Sequence, residues 1–379
     1  MLWHILTPEY PPDCGGVGDY TALIAAALAD AGDVVHVWHP GAALARAARL
    51  TVHALPDRFA RGSRAVLDRA FLDMPGAILV QYVPTAFGLR GANVPFARWL
   101  LGVRQAGGDV RVMFHEPFFY FGLERPWRNA LAIAQRAMAS LMVRAGRTVY
   151  FSTGNWSRYL RPYGRVGDAE VLPVPATIAI DPPSSLVNGW MTRVEPREGA
   201  VIGHFGTYGE HVAAELRRVL PEIWRTRPSA RVLLVGDGSV AFMKEMRAAA
   251  PRPDSVNATG RLSSEDVAAA LRACDVLIAP YPDGVTTRRT SMMGALTSGR
   301  PVVTTDGPLT EGIWRETRAV PLVAAGDAAA FAGCVDRIAG DKTLQTAIGA
   351  ACRGLYDERF ALRHTVAALR RADVPAIVT

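Results

Sequence analysis

The chain has 379 residues, a formal net charge of +7 and a pI of about 9.5; 50% of its residues are hydrophobic and 20% charged. That leaves room for two ordinary cores and excludes a disordered or fibrous chain. No apolar run reaches the ~18 residues a membrane span needs. The four cysteines, Cys14, Cys274, Cys334 and Cys352, form no CxxC pair, so neither a disulfide scaffold nor a zinc knuckle is indicated.

Only two of the 42 basic residues, Lys244 and Lys342, are lysines. The arginines are spread along the chain without a stripe or interleaved aromatics, so no nucleic-acid partner is expected. The charge still favours phosphorylated ligands and anionic lipid surfaces. "LWHIL" at the start reads as a buried strand rather than a signal-peptide core, and a cytoplasmic protein is expected.

In chain order, apolar strand-like runs at 2–7, 34–38, 77–82, 110–114 and 148–152 alternate with helical patterns, notably 21–31 and 126–145. Short strands with helical crossovers imply a parallel sheet covered on both faces. The rhythm breaks at 176–198, rich in Pro, Ser and polar residues, which predicts a linker. It restarts with strands at 200–206, 230–236, 255–260, 275–280 and 301–305, and a last helix covers 359–372. The expected organisation is a first α/β domain over 1–180, a linker over 181–198, a second α/β domain over 199–355 and a C-terminal helical segment over 356–379. Two doubly wound α/β domains would face each other across a cleft, where open sheets bind ligands.

Several loops could carry chemistry. Gly15, Gly16 and Gly18 follow the first strand and open a helix, a place where bare backbone lets an anion approach amide groups. A packing turn explains one such loop equally well. Asp13 and Asp19 flank it and would repel a phosphate, so it is expected to abut a sugar or acceptor. "HFGTYGEH" repeats the pattern in the second half, with Gly206 and Gly209. The richest stretch is 279–305, where Asp283, Gly284, Thr286, Thr287, Arg288, Arg289, Thr290 and Ser291 precede a helix closed by Gly299. Two guanidiniums, hydroxyls and a helix N-terminus make an anion site, since Arg presents a planar fork to phosphate oxygens. The alternative for either Arg is a solvated surface residue or a partner of Asp283. In "VMFHEPFFYFG", His115 and Glu116 follow a strand end; His115 could carry a proton or bind a sugar hydroxyl, or be an ordinary loop histidine. The aromatics beside it suit either a pyranose ring or a core edge. Helix 126–145, with Trp127, Arg128, Arg136 and Arg144, could lie on an anionic membrane or simply pack on the sheet.

Taken together, "TPEYPPDCGGVGDYTALIAAALADAG", "FHEPF", "VLPVPATI", "LLVGDGS", "ATGRLSSEDVAAALRACDVLIAPY" and "TSGRPVVTT" resemble, in this order and spacing, the family 4 glycosyltransferases, retaining enzymes of GT-B fold. The resemblance spans nearly the whole chain and implies that 1–180 is the acceptor-side domain, 199–355 the nucleotide-sugar-binding domain, and 356–379 a C-terminal helix crossing back to the N-terminal domain. It departs from the family where two glutamates usually stand in the donor loop: Thr286 and Gly294 occupy those positions. The usual Arg and Lys after the second domain's first strand are replaced by "GTYGEH". The segment "DGVTTRRTS" looks like a variant loop of bacterial members.

The resemblance implies transfer of a sugar from a UDP- or GDP-sugar, with retention and without a metal or cofactor, to a saccharide or lipid-linked acceptor in bacterial polysaccharide or glycoconjugate synthesis. Peripheral contact with the inner face of a membrane goes with a lipid-linked acceptor. The resemblance assigns the donor diphosphate to Gly206, Thr207, Arg288, Arg289, Thr290 and Ser291, with Arg289, His115 and Glu116 as catalytic groups. It places the nucleoside at Gly236, Gly260, Arg261 and Leu262, and the sugar or acceptor at Gly15, Gly16, Gly307 and Glu311. Two other functions compete: a nucleotide-sugar 2-epimerase, which needs more acids than these loops hold, and an inactive binding or scaffold subunit, which the missing glutamates favour.

Overall fold

The computed structural model describes residues 1–12, 15–42, 47–122, 126–164, 169–194 and 199–371. Asp13, Cys14 and the end of the expected last helix at Ala372 lie outside them. The chain divides into two compact units, Met1–Pro173 together with the segment from Leu362 onward, and Val174–Ala361.

The first unit contains β1 (Leu2–Leu6), α1 (Gly16–Asp30), β2 (Val34–His39), β3 (Leu50–Ala54), α2 (Arg61–Asp73), β4 (Ala77–Tyr82), α3 (Val94–Gln105), β5 (Asp109–Phe114), α4 (Trp127–Ala145), β6 (Thr148–Phe151), α5 (Asn155–Leu160) and β7 (Glu170–Val171). The second contains α6 (Ser184–Val194), β8 (Val201–Phe205), α7 (Glu210–Thr226), β9 (Arg231–Val235), α8 (Ser239–Met246), β10 (Val256–Ala258), α9 (Ser264–Arg272), β11 (Val276–Ala279), α10 (Thr290–Thr297), β12 (Val302–Asp306), α11 (Gly312–Thr317), β13 (Leu322–Ala324), α12 (Ala328–Ala339) and α13 (Lys342–Leu355). The final helix, α14 (Leu362–Arg371), belongs to the first unit.

Each unit is built on one parallel sheet, with strand orders β3-β2-β1-β4-β5-β6-β7 and β10-β9-β8-β11-β12-β13. The central strands are covered on both faces, which is why they read as continuous apolar runs rather than alternating ones. "AILVQY" of β4 is buried at all six positions. Helices show one apolar stripe instead: α7 buries Leu216, Val219, Leu220 and Ile223. Polar residues fix where helices begin. Ser263, Asp327 and Asp341 accept the amides of Asp266, Ala330 and Leu344 at the starts of α9, α12 and α13.

The α/β architecture with two doubly wound sheets is the one the sequence predicts. The stretch read as a linker carries α6, in the second unit, where Trp190 donates to Asp266 Oδ1 at 3.0 Å. Helix α14 is held in the first unit by polar contacts. The fully buried Arg111 donates to the carbonyl of Leu369 and to Asp109, and its guanidinium lies 4.9 Å from the Trp3 ring. Arg371 pairs with Glu170 at 3.0 Å.

Strand order reverses between β1 and β4 in one sheet and between β8 and β11 in the other. In an open parallel sheet the carboxyl ends of the strands flanking that point part their loops and leave a crevice. The fold therefore supplies one ready-made site per unit.

Candidate functional site

In the second unit the crevice is a pocket of about 310 Å³ lined by Phe205, Gly206, Thr207, Gly236, Asp237 and Arg288 to Ser291. One wall is the turn after β8, the other the start of α10. The turn is tight because two backbones cross: Gly236 sits at φ +114°, and a side chain there would run into the Gly206 carbonyl. Gly206 donates its amide to Val235 O at 3.1 Å.

Arg289 is the N-cap of α10, and its side chain makes no cap hydrogen bond to the helix amides ahead of Met293, which donates to Arg289 O at 3.1 Å. Its guanidinium lies 4.6 Å from the ring of Tyr281, and its Nε is buried with no hydrogen-bond partner. An unpaired buried donor is costly unless a ligand or water satisfies it. Tyr281 is buried, which pushes its phenol upward, and its hydroxyl is 3.1 Å from Ser291 Oγ. Guanidinium, helix amides and hydroxyls thus converge on one small volume, an arrangement suited to a polyanion.

Of the residues predicted for this unit, Gly206, Thr207, Gly236, Arg288, Arg289, Thr290 and Ser291 all line the pocket. Gly260 lies behind it, bridged to Gly236, with its amide donating to Ser239 Oγ at 2.9 Å. Arg261 approaches Asp237 at 3.7 Å, and Leu262 packs on the core of the unit. Asp237 and Tyr281 are part of the site but were not singled out from sequence. Asp237 stands in the quoted "LLVGDGS" and Tyr281 ends the quoted "ATGRLSSEDVAAALRACDVLIAPY".

Gly307 and Glu311, expected at the sugar, are engaged with the 283–289 turn. A side chain at Gly307 would stand 2.6 Å from the Asp283 carbonyl carbon, so that glycine permits a close backbone crossing. Glu311 accepts the Thr287 amide at 2.5 Å and the Thr287 hydroxyl at 2.9 Å. At the two positions where the resemblance calls for glutamates, Thr286 is buried with an unpartnered hydroxyl, and Gly294 faces Ile178 and Phe205.

In the first unit, His115 follows β5. It is 7% exposed, shares a 2.8 Å hydrogen bond with Gln81, and meets the Tyr20 ring edge-on at 5.0 Å. Burial lowers its pKa to about 3, so the imidazole is neutral at pH 7. Its carbonyl accepts from Trp156 Nε1 at 2.9 Å, which fixes the loop. Glu116 beside it is exposed. At α1, the amides of Val17 and Gly18 are taken by Glu9 Oε1, at 3.0 Å each. Gly15 lies under that carboxylate, while a side chain at Gly16 would meet no atom within 4 Å. The sequence pattern missed Glu9.

Among the described residues no group of three His, Cys, Asp or Glu could hold a metal ion, and no helix is long and apolar enough to cross a membrane.

Residues 199–341 match the family model described as glycosyl transferases group 1. No curated protein matches the sequence. Solved structures similar to the whole chain include sucrose-phosphate synthase from Thermosynechococcus elongatus, with TM-score 0.75 and 14% identity over 98% of this chain and 97% of that one. HepE from Anabaena in complex with UDP-glucose gives TM-score 0.70 and 14% identity over 98% of each chain. WaaG, a glycosyltransferase involved in lipopolysaccharide biosynthesis, gives TM-score 0.68 and 14% identity over 97% of this chain and 99% of that one. The chain therefore has the GT-B fold, and residues 199–341 of its second unit are similar to the glycosyl transferases group 1 model.

Proposed function

We propose that the protein is a retaining, metal-independent glycosyltransferase that moves a sugar from a nucleoside-diphosphate sugar to a saccharide or lipid-linked acceptor. The observation that carries this reading is the pocket at the start of α10, where the buried, unpartnered Nε of Arg289 meets the uncapped helix amides and the hydroxyls of Thr290 and Ser291. The main task in such a transfer is to stabilise the charge on the departing nucleoside diphosphate. Fixed donors do this without reorganising as the bond breaks. Arg288 and Arg289 would supply the positive charge that a divalent cation supplies elsewhere. The GT-B fold of HepE, solved with UDP-glucose, supports a uridine donor.

His115 would accept or donate a hydrogen bond to a sugar hydroxyl, and Gly16 would leave room for the acceptor. A lipid-linked acceptor is supported by the loop before α4. Tyr120 and Phe121 are 55% and 56% exposed, and the Arg136 guanidinium stacks on Phe118 and Phe121 at 4.2 and 3.9 Å. Aromatic rings beside guanidiniums suit the boundary of an anionic bilayer.

The test is to incubate the protein with UDP-glucose and other nucleotide sugars, with and without an acceptor panel, and analyse products by mass spectrometry. Acceptor-dependent release of nucleoside diphosphate supports the proposal. An epimerised donor without acceptor would instead mark an epimerase, and tight donor binding without turnover a binding subunit.

A further inference from the structure

We infer that Glu311 is a positioning residue for the anion cradle of the second unit, acting through Thr287 rather than by touching a ligand. The inference rests on the reading of that pocket as a diphosphate site. The turn from Asp283 to Arg289 lies between β11 and α10 and is held from outside. Val285 donates its amide to Thr305 O at 3.0 Å, and Leu309 donates to Asp283 O at 2.8 Å. Gly284 and Gly307 pack backbone to backbone. These contacts fix the first half of the turn. The second half, which carries Arg288 and Arg289, is reached by the Glu311 carboxylate. Its two oxygens separately accept the amide and the hydroxyl of Thr287, a residue only 2% exposed. With the Val174 amide, which donates to Thr287 O at 3.1 Å, these anchors on one buried residue set the direction in which the next two residues leave, and the Arg289 amide closes the turn by donating to Thr286 O at 3.2 Å.

Position and charge make opposite predictions here. A carboxylate bonded to the residue just before Arg288 and Arg289 opposes the binding of an anion there, so removing its charge should tighten diphosphate binding if charge is all that Glu311 contributes. If Glu311 positions the turn, the same change should weaken binding, because Gln keeps one acceptor oxygen and puts an NH2 where the other stood.

The experiment is calorimetry on the full chain with UDP, GDP, ADP and dTDP and with the matching nucleosides, for wild type, Glu311→Gln, Thr287→Ser and Thr287→Val. In Glu311→Gln the nucleotide that wild type binds should weaken about tenfold or more, the size of one lost hydrogen bond to a charged group, with nucleoside affinity unchanged. Thr287→Ser keeps both donors and should match wild type; Thr287→Val loses the hydroxyl and should fall between. Unchanged or tighter diphosphate binding in Glu311→Gln, or an equal loss of nucleoside, would overturn the inference while leaving the pocket as a donor site. Wild type that binds none of the four nucleotides would overturn both.

Discussion

Glu9 and Gly15 share one space: the Glu9 carboxylate lies where a side chain of residue 15 would begin, and from there it accepts the Val17 and Gly18 amides. The anion at the start of α1 is therefore the protein's own. The two glycine loops, alike in sequence, differ in chemistry: one is filled by a carboxylate and the other opens on a pocket beside Arg289. Glu9→Ala removes a helix cap and should cost about 1 kcal/mol, within the usual range of about 0.5–2 kcal/mol. Gly15→Ala displaces the same carboxylate and should cost a similar amount. Because both changes break one contact, the double variant should be less destabilised than the two single losses together, by about 0.5 kcal/mol or more in urea unfolding.

Stability should fall in mild acid. Burial holds His115 and His204 near pKa 3, far below the ordinary histidine value of about 6.5. As pH drops below that ordinary value the unfolded chain takes up these protons and the folded chain does not. The stability is present above about pH 6.5 and is lost progressively as pH falls towards 3, at up to about 1.4 kcal/mol per pH unit for each histidine. Urea unfolding at pH 7 and pH 5 measures the slope. His204→Phe should reduce it by one proton's worth; His204 Nδ1 is buried without a partner, so the imidazole makes no bond there that Phe forfeits.

Installing the second glutamate that the resemblance calls for should not create a carboxylate site. A Cβ at Gly294 would stand 3.0 Å from Ile178 Cδ1 and 3.2 Å from Phe205 Cε1. Gly294→Glu both overpacks this contact and buries a charge, and should destabilise by about 2–4 kcal/mol. Phe205 lines the pocket, so nucleotide affinity should fall too. Denaturation and calorimetry on the same variant check both outcomes.

Gly236→Ala tests the other wall. The residue is at φ +114° against the Gly206 carbonyl, so the variant meets both backbone strain and a clash and should lose about 1–3 kcal/mol. It should also weaken nucleotide binding by moving Gly206 and Thr207. Unchanged affinity would mean that this turn does not shape the site.

Much of this was legible in the sequence, for physical reasons. Strands β1, β4, β8 and β11 are buried on both faces and stand out as apolar runs. Edge strands β3 and β13 lie at the ends of their sheets, and "LTVHA" and "LVA" are too short or too polar to register. Strand β7 has two residues and no pattern to find. The pocket was readable because Gly206–Thr207 and Arg288–Ser291 are compact local stretches, each beside a helix start. Tyr281 under Arg289 and Glu311 on Thr287 were not, since those contacts arise from strand order rather than from spacing along the chain. Glu9 escaped for another reason: the glycines pointed to an anion, and the sequence does not say that the anion comes from the chain itself.

If the start of α10 holds the diphosphate of a nucleotide sugar, as proposed, UDP binding depends on Arg289. The most direct test is calorimetric titration of UDP, without metal, into wild type and Arg289→Ala. Wild type should bind, and the variant should lose about tenfold or more, the scale of a charge-assisted hydrogen bond made in a partly buried site. Equal affinity in both proteins would contradict the proposal.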